Sequence, residues 1–165
     1  MILGIDPGLS GAFFLLGDAY DYQGLRAQDI PTTERVVAGK KKRQLDHASV
    51  ALYMDYHRTM VSFAVLEQVN AMPGQGVTSS FNFGSTYGAL LQALASAGIP
   101  VRTVVPQVWK RKFNLLGSGG VPQPKDASRA EASRRLPQYA SLWQLAKHDG
   151  RAEAALLALY GQEMK

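Results

Sequence analysis

Three places in this 165-residue sequence keep carboxylates where an ordinary globular chain has little reason to. Asp6 closes the apolar run MILGI and stands before Pro7 and Gly8. An ionised carboxylate at the end of a buried strand is costly unless something pairs with it. An aspartate there can also start a turn by bonding its own backbone. Glu67 lies inside FAVLEQV, where strand alternation sets Phe63, Val65 and Glu67 on one face. On so apolar a strand, Glu67 needs a cation, a hydrogen-bond network, or a sheet end open to water. Asp149 and Glu153, spaced i, i+4, share a face at the start of the last helical segment. Acids also favour a first turn because of the helix dipole. Each signal has a structural explanation alone. A fold that joins two strand ends to the start of that helix would gather Asp6, Glu67, Asp149 and Glu153 in one cluster. Such a group cannot ionise together without cations, and an all-oxygen ligand set favours Mg²⁺ or Mn²⁺. Two such ions about 4 Å apart activate a water and stabilise the leaving oxygen in phosphodiester hydrolysis. Asp6 would suit a bridging role.

The elements that must position these acids are legible in outline. Residues 1–6 read as a short buried strand, Pro7–Ser10 as a turn, and GAFFLL at 11–16 as a second strand, giving a hairpin. Residues 25–30 suggest a third strand closed by Pro31. AGKKKR at 38–43 reads as a charged loop or strand end. Asp46 is placed to cap a helix over residues 47–60, with Val50, Tyr53, Met54 and His57 near helical spacing. Residues 62–69 read as a strand and 70–78 as a glycine-containing loop. A long helix is expected from Ser79 or Ser80 to about Ala97, stopped by Gly98 and Pro100. A strand over 101–105, a short helix begun by Pro106, the Gly/Pro loop GSGGVPQP, and helices over 126–136 and 149–164 complete the chain. This order predicts an α/β fold, one domain with a mixed sheet and helices on its faces.

Composition narrows the partners. Eighteen basic against 13 acidic residues give a net charge of +5, which suits a phosphate-rich partner. The basic residues cluster at Lys40, Lys41, Lys42 and Arg43, at Lys110, Arg111 and Lys112, and at Arg129, Arg134 and Arg135, with Lys125 just after the Gly/Pro loop. Flanking an acidic site they would track a nucleic-acid backbone; elsewhere such clusters are solvated faces. Trp109 and Trp143 read as packing residues. The absence of cysteine excludes disulfides and cysteine-rich zinc sites and fits a reducing compartment. No apolar run approaches membrane-spanning length, and residues 1–5 lack the basic start of a signal peptide, so neither is expected.

GIDPGLSG at 4–11, LEQV at 66–69 and DGRAEAALLAL at 149–159 resemble the three active-site segments of RuvC-type Holliday junction resolvases. Their spacing matches, and the resemblance spans nearly the whole chain; DGRAEA is similar to phage and prophage members. The resemblance implies an RNase H-like fold and a homodimer. It implies Mg²⁺-dependent paired nicking of a four-way DNA junction, with two ions per site and Mn²⁺ able to substitute. It also implies a cytoplasmic place of action, in a bacterial cell or a phage-infected host. Asp6 matches the first-strand aspartate, Glu67 the EQV glutamate and Glu153 the last-helix acid. These are the implied catalytic metal ligands.

The chain departs from the family pattern twice. Family members often carry an Asp or His three residues before the last acid, and here that position is Gly150. Asp149 is the favoured fourth ligand, with His148 in reserve as a ligand or general base. An aromatic that often follows EQV and stacks on a junction base is replaced by Asn70; Phe81 and Phe83 are candidates for that contact, or for the core. Other readings stay open. An ATP-binding protein of the actin and sugar-kinase type shares the opening motif but needs a second glycine motif in a second domain. A non-catalytic DNA-binding module could keep the fold. Another nuclease of the fold could act on RNA–DNA hybrids, flaps or branched DNA generally.

Overall fold

The computed structural model describes residues 1–17, 26–68, 74, 76–121 and 123–164. Five strands form one sheet: β1 (Ile2–Ile5), β2 (Ala12–Leu16), β3 (Ala27–Asp29), β6 (Phe63–Glu67) and β7 (Val101–Val104). Their order is β3-β2-β1-β6-β7. β2 runs antiparallel to both β1 and β3, while β6 lies parallel to β1 and β7 parallel to β6. This is a mixed α/β sheet, as the order of elements predicts.

Alternation along the central strands sorts side chains into two cores. Ile2, Phe14, Phe63 and Val65 face the C-terminal helices. Leu3, Ile5, Phe13 and Leu66 face α1 (His47–His57) and α2 (Val77–Ser96). α1 begins where Asp46 caps it: Oδ1 accepts from the Ser49 amide at 3.1 Å and Oδ2 from its hydroxyl at 2.7 Å. Val50, Tyr53, Met54 and His57 are its buried face. Among the described residues no helix is long and apolar enough to cross a membrane.

α5 (Asp149–Glu163) lies across β1, β2 and β6 at unusually close range, because alanines at 152, 154, 155 and 158 line its buried face. Gly4 of β1 completes the fit: a Cβ there would stand 1.9 Å from the Ala154 carbonyl oxygen. This approach brings the first turn of α5 to the ends of β1 and β6. Arg151 fastens the same turn to the sheet edge by donating to both Asp29 oxygens at 2.6 and 2.8 Å.

Residues 38–43 are a turn and the start of a strand, as expected, but they belong to a separate antiparallel hairpin absent from the expected elements, β4 (Thr32–Val37) with β5 (Lys40–Leu45). Its residues are almost all solvent-facing, so no apolar alternation marks the strands. The register is set instead by a two-residue turn with positive φ at Ala38 (49°) and Gly39 (73°), the backbone form that matches strand twist. Other differences are at boundaries. The third strand is Ala27–Asp29, with residue 25 outside the described residues, and α2 begins at Val77. α3 (Pro106–Lys112) and α4 (Lys125–Arg135) fall where expected. Three 3-10 segments, Ser118–Gly120, Pro137–Trp143 and Ala146–His148, add to the expected elements.

Candidate metal centre

Asp6 follows the last residue of β1, and Glu67 is the last residue of β6. Ile5 and Leu66 are register partners on these parallel strands, so the two acids emerge side by side at the sheet's C-terminal edge. Glu153 descends from the second turn of α5. One carboxylate oxygen from each of Asp6, Glu67 and Glu153 lies within 4.8 Å of the others. The three acids with family counterparts in the sequence therefore converge. Asp6 and Glu153 line a cleft of about 550 Å³ together with Gly8, Ser10, Asp29, Arg43 and Lys147.

The site is electrostatically strained as it stands. Burial pushes the Asp6 carboxyl up to about 8, and the charges of Glu153 and then Glu67 push the same way; the Gly8 amide and Lys110 oppose them only in part. Glu67 is also raised, first by burial and then by Glu153, against the lowering effect of Trp109 and Lys110. Three carboxylates so placed cannot all ionise without a cation to neutralise them.

α3 and α4 hold the glutamates. The buried indole of Trp109 donates from Nε1 to Glu67 Oε1 at 2.9 Å. The next residue, Lys110, sets Nζ 3.4 Å from Glu153 Oε1, with only 17% of its side chain exposed. Ser128 of α4 donates its hydroxyl to the same oxygen at 3.0 Å. The other oxygen of each glutamate accepts no hydrogen bond among the described residues. Reading Trp109 as packing is right for its ring and misses its N–H; nothing in sequence spacing points from position 109 to 67. Ser128 likewise has no signal in the sequence.

Asp149 lines the cleft but does not join the three acids. Its Oδ1 lies 2.9 Å from Arg129 Nε, and Arg129 also pairs with Asp126. His148 stands outside the cluster too, with a buried Nδ1 that has no hydrogen-bond partner among the described residues. Position 150 is closed to any ligand. A Cβ on Gly150 would lie 2.6 Å from the Ser10 carbonyl oxygen and 3.0 Å from Asp6 Oδ2. Glycine here lets α5 dock on the turn that carries Asp6.

The basic groups divide. Lys110 belongs to the acid cluster. Arg43 donates to the Leu9 carbonyl at 2.5 Å and reaches the cleft from β5. Lys40, Lys41 and Lys42 are exposed on the hairpin, with Lys41 paired to Glu34 at 2.9 Å. Arg111 is exposed; Lys112 pairs with Glu163 at 3.1 Å, near the far end of α5. Arg134 and Arg135 pair with Glu131. Lys125 opens α4, and its side chain lies outside the described residues, as does Asn70. Phe81 is 73% exposed and Phe83 half-buried.

No family model and no curated protein matches the sequence. Solved structures do match. The structure of Thermus thermophilus RuvC covers 99% of this chain and 95% of its own, with a TM-score of 0.54 and 17% identity. The fold is RuvC-like. A second structure, of T. thermophilus RuvC in complex with a Holliday junction substrate, covers 99% of this chain and 94% of its own, with a TM-score of 0.56 and 17% identity. At that identity the RuvC-like likeness speaks for architecture; the chemistry rests on the side chains above.

Proposed function

We propose that the chain is a divalent-metal-dependent endonuclease that resolves branched DNA, four-way junctions foremost, by paired nicking as a homodimer. The observation that carries this reading is the convergence of Asp6, Glu67 and Glu153 from two strand ends and a helix, beside a cleft that Asp6 and Glu153 line. Support comes from a RuvC-like fold, in which one neighbour is bound to a Holliday junction substrate.

The residues fit a hard divalent cation. The donor set is all oxygen, which suits Mg²⁺ with Mn²⁺ as substitute. Burial and the two glutamate charges push the Asp6 carboxyl up to about 8, a penalty that a cation would relieve, and each glutamate keeps one oxygen without a hydrogen bond among the described residues. Asp6, Glu67 and Glu153 would hold the metal, with Asp6, coupled to both glutamates, suited to share two ions. When bound, the metal supplies water activation and charge stabilisation at the leaving oxygen. The chain's residues supply the rest. Trp109 fixes Glu67, while Ser128 and Lys110 fix Glu153. Lys110 also sets a positive charge beside the acids for a phosphate drawn into the cleft. Arg43, which lines the cleft, and the exposed hairpin lysines draw in the backbone, with Arg111 adding to that surface from α3. Asp149 pairs with Arg129 and so adds no charge to the three acids. Two opposed nicks need two centres, hence the homodimer. The whole chain acts as one nuclease domain, at work in the cytoplasm.

Asp6→Asn and Glu67→Gln test the reading. Both should abolish junction cleavage and leave junction binding within a few-fold. Undiminished cleavage in either variant would refute the assignment of the centre.

A further inference from the structure

The β4–β5 hairpin carries an arrangement that a purely structural role does not explain. Its register sets Arg35 directly opposite Lys42. Opposed residues share a face with Cβ atoms roughly 5 Å apart, and like charges there destabilise the pair. Neither side chain has an acidic partner among the described residues. The hairpin's one acid, Glu34, projects to the other face by alternation and pairs with Lys41.

Both cations line a pocket of about 230 Å³ between the hairpin and α2, together with Gln44, His47, Asn82 and Ser85. Among the described residues no carboxylate lines it. Two opposed cations with amide and hydroxyl groups around them suit an anion. Arg43 lines this pocket as well as the acid cleft, so the two spaces adjoin. Its bond to the Leu9 carbonyl ties the hairpin to the turn that follows Asp6.

We propose that this pocket binds a backbone phosphate of the DNA substrate, remote from the scissile one, between Arg35 and Lys42. The identity of the anion rests on the nuclease reading. The bound phosphate neutralises the cross-strand repulsion, so the free hairpin is less stable than its sequence permits and gains from the substrate. The pocket grips the strand beside the cleft and takes no part in the bond-breaking step.

The test is the double variant R35A/K42A, compared with wild type and with Arg58→Ala, an exposed change of charge at the end of α1. Binding of a fluorescein-labelled four-way junction is followed by anisotropy in EDTA across a salt series. The double variant should bind roughly tenfold or more weakly at low salt, the loss of a charge-assisted contact. The slope of log affinity against log salt should flatten by roughly 1, one phosphate contact. Thermal unfolding of the free double variant should occur at an unchanged or higher temperature, because the repulsion is gone. With Mg²⁺, its cleavage rate at saturating junction should equal that of wild type while KM rises. Affinity and slope equal to those of Arg58→Ala would overturn the proposal, and so would a lowered melting temperature with unchanged binding. Inorganic phosphate that stabilises wild type but not the double variant, with junction binding equal in both, would assign the pocket to free phosphate and overturn the DNA source. A wild type that binds junctions through Arg35 and Lys42 but cuts no DNA with any metal would refute the nuclease reading and leave this contact standing.

Discussion

Replacing Trp109 by Phe removes one hydrogen bond from the proposed metal centre and little else. The indole Nε1 donates to Glu67 Oε1 at 2.9 Å from a fully buried ring, and Phe retains most of the apolar volume. The bond lowers the Glu67 pKa against burial and the Glu153 charge. Without it, the ionised carboxylate loses both its orientation and its one buried donor. A hydrogen bond to a charged group contributes about 1.5–3 kcal/mol, which corresponds to roughly 10- to 100-fold in metal affinity, the usual effect of removing a partner that orients a ligand. Mn²⁺ titration calorimetry on the wild type, Trp109→Phe and Trp143→Phe measures it. Trp143 donates to Ser133, away from the acids, and controls for the loss of an indole. Trp109→Phe should bind Mn²⁺ 10- to 100-fold more weakly, with the deficit growing as pH falls because Glu67 then protonates more readily; Trp143→Phe should match the wild type. Equal Mn²⁺ affinity and equal pH dependence in all three would refute the reasoning.

Three further outcomes follow from the same geometry. Asp6 titrates near 8 when folded and near 3.9 when unfolded, so between those values the folded chain holds a proton that the unfolded chain has released. Stability of the metal-free protein should therefore fall as pH rises from about 5 to 8, by on the order of 2 kcal/mol or more. Mg²⁺ should restore it at pH 8, as thermal unfolding in EDTA and in Mg²⁺ will show. Gly150→Ala forces a methyl to within 2.6 Å of the Ser10 carbonyl oxygen. It should destabilise the fold by about 1–3 kcal/mol and, in the folded fraction, weaken Mn²⁺ binding by displacing Asp6. Asp149→Ala should change Mn²⁺ affinity by less than about fivefold, the worth of one partly exposed ion pair; a loss of 100-fold would return Asp149 to the ligand set.

What the sequence makes legible here follows from which interactions leave a local trace. Asp6 and Glu67 are visible because a carboxylate at the end of an apolar strand needs a partner, and the β1–β6 register then sets them side by side. The α1 start is visible because Asp46 must cap it. Asp149 is the instructive case. An i, i+4 spacing with Glu153 gives the same face of a helix, yet the side chain turns to Arg129, an ion pair formed across two helices that spacing cannot report. The bar to a ligand at position 150 comes from the β1–β2 turn, again a contact between distant segments. The β4–β5 hairpin escapes notice because neither strand has a buried face, so periodicity has nothing to record; only Ala38 and Gly39 mark it. Trp109 and Lys110 meet the acids only through the packing of α3.

Cleavage of a synthetic four-way junction tests the central claim most directly. It should be run beside flap, linear duplex and RNA–DNA hybrid substrates, with EDTA, Mg²⁺ or Mn²⁺, for the wild type and Asp6→Asn. The account predicts symmetric paired nicks in the junction that require metal and vanish in Asp6→Asn. Tight junction binding with no nick under either metal, or nicks that survive Asp6→Asn, would contradict it.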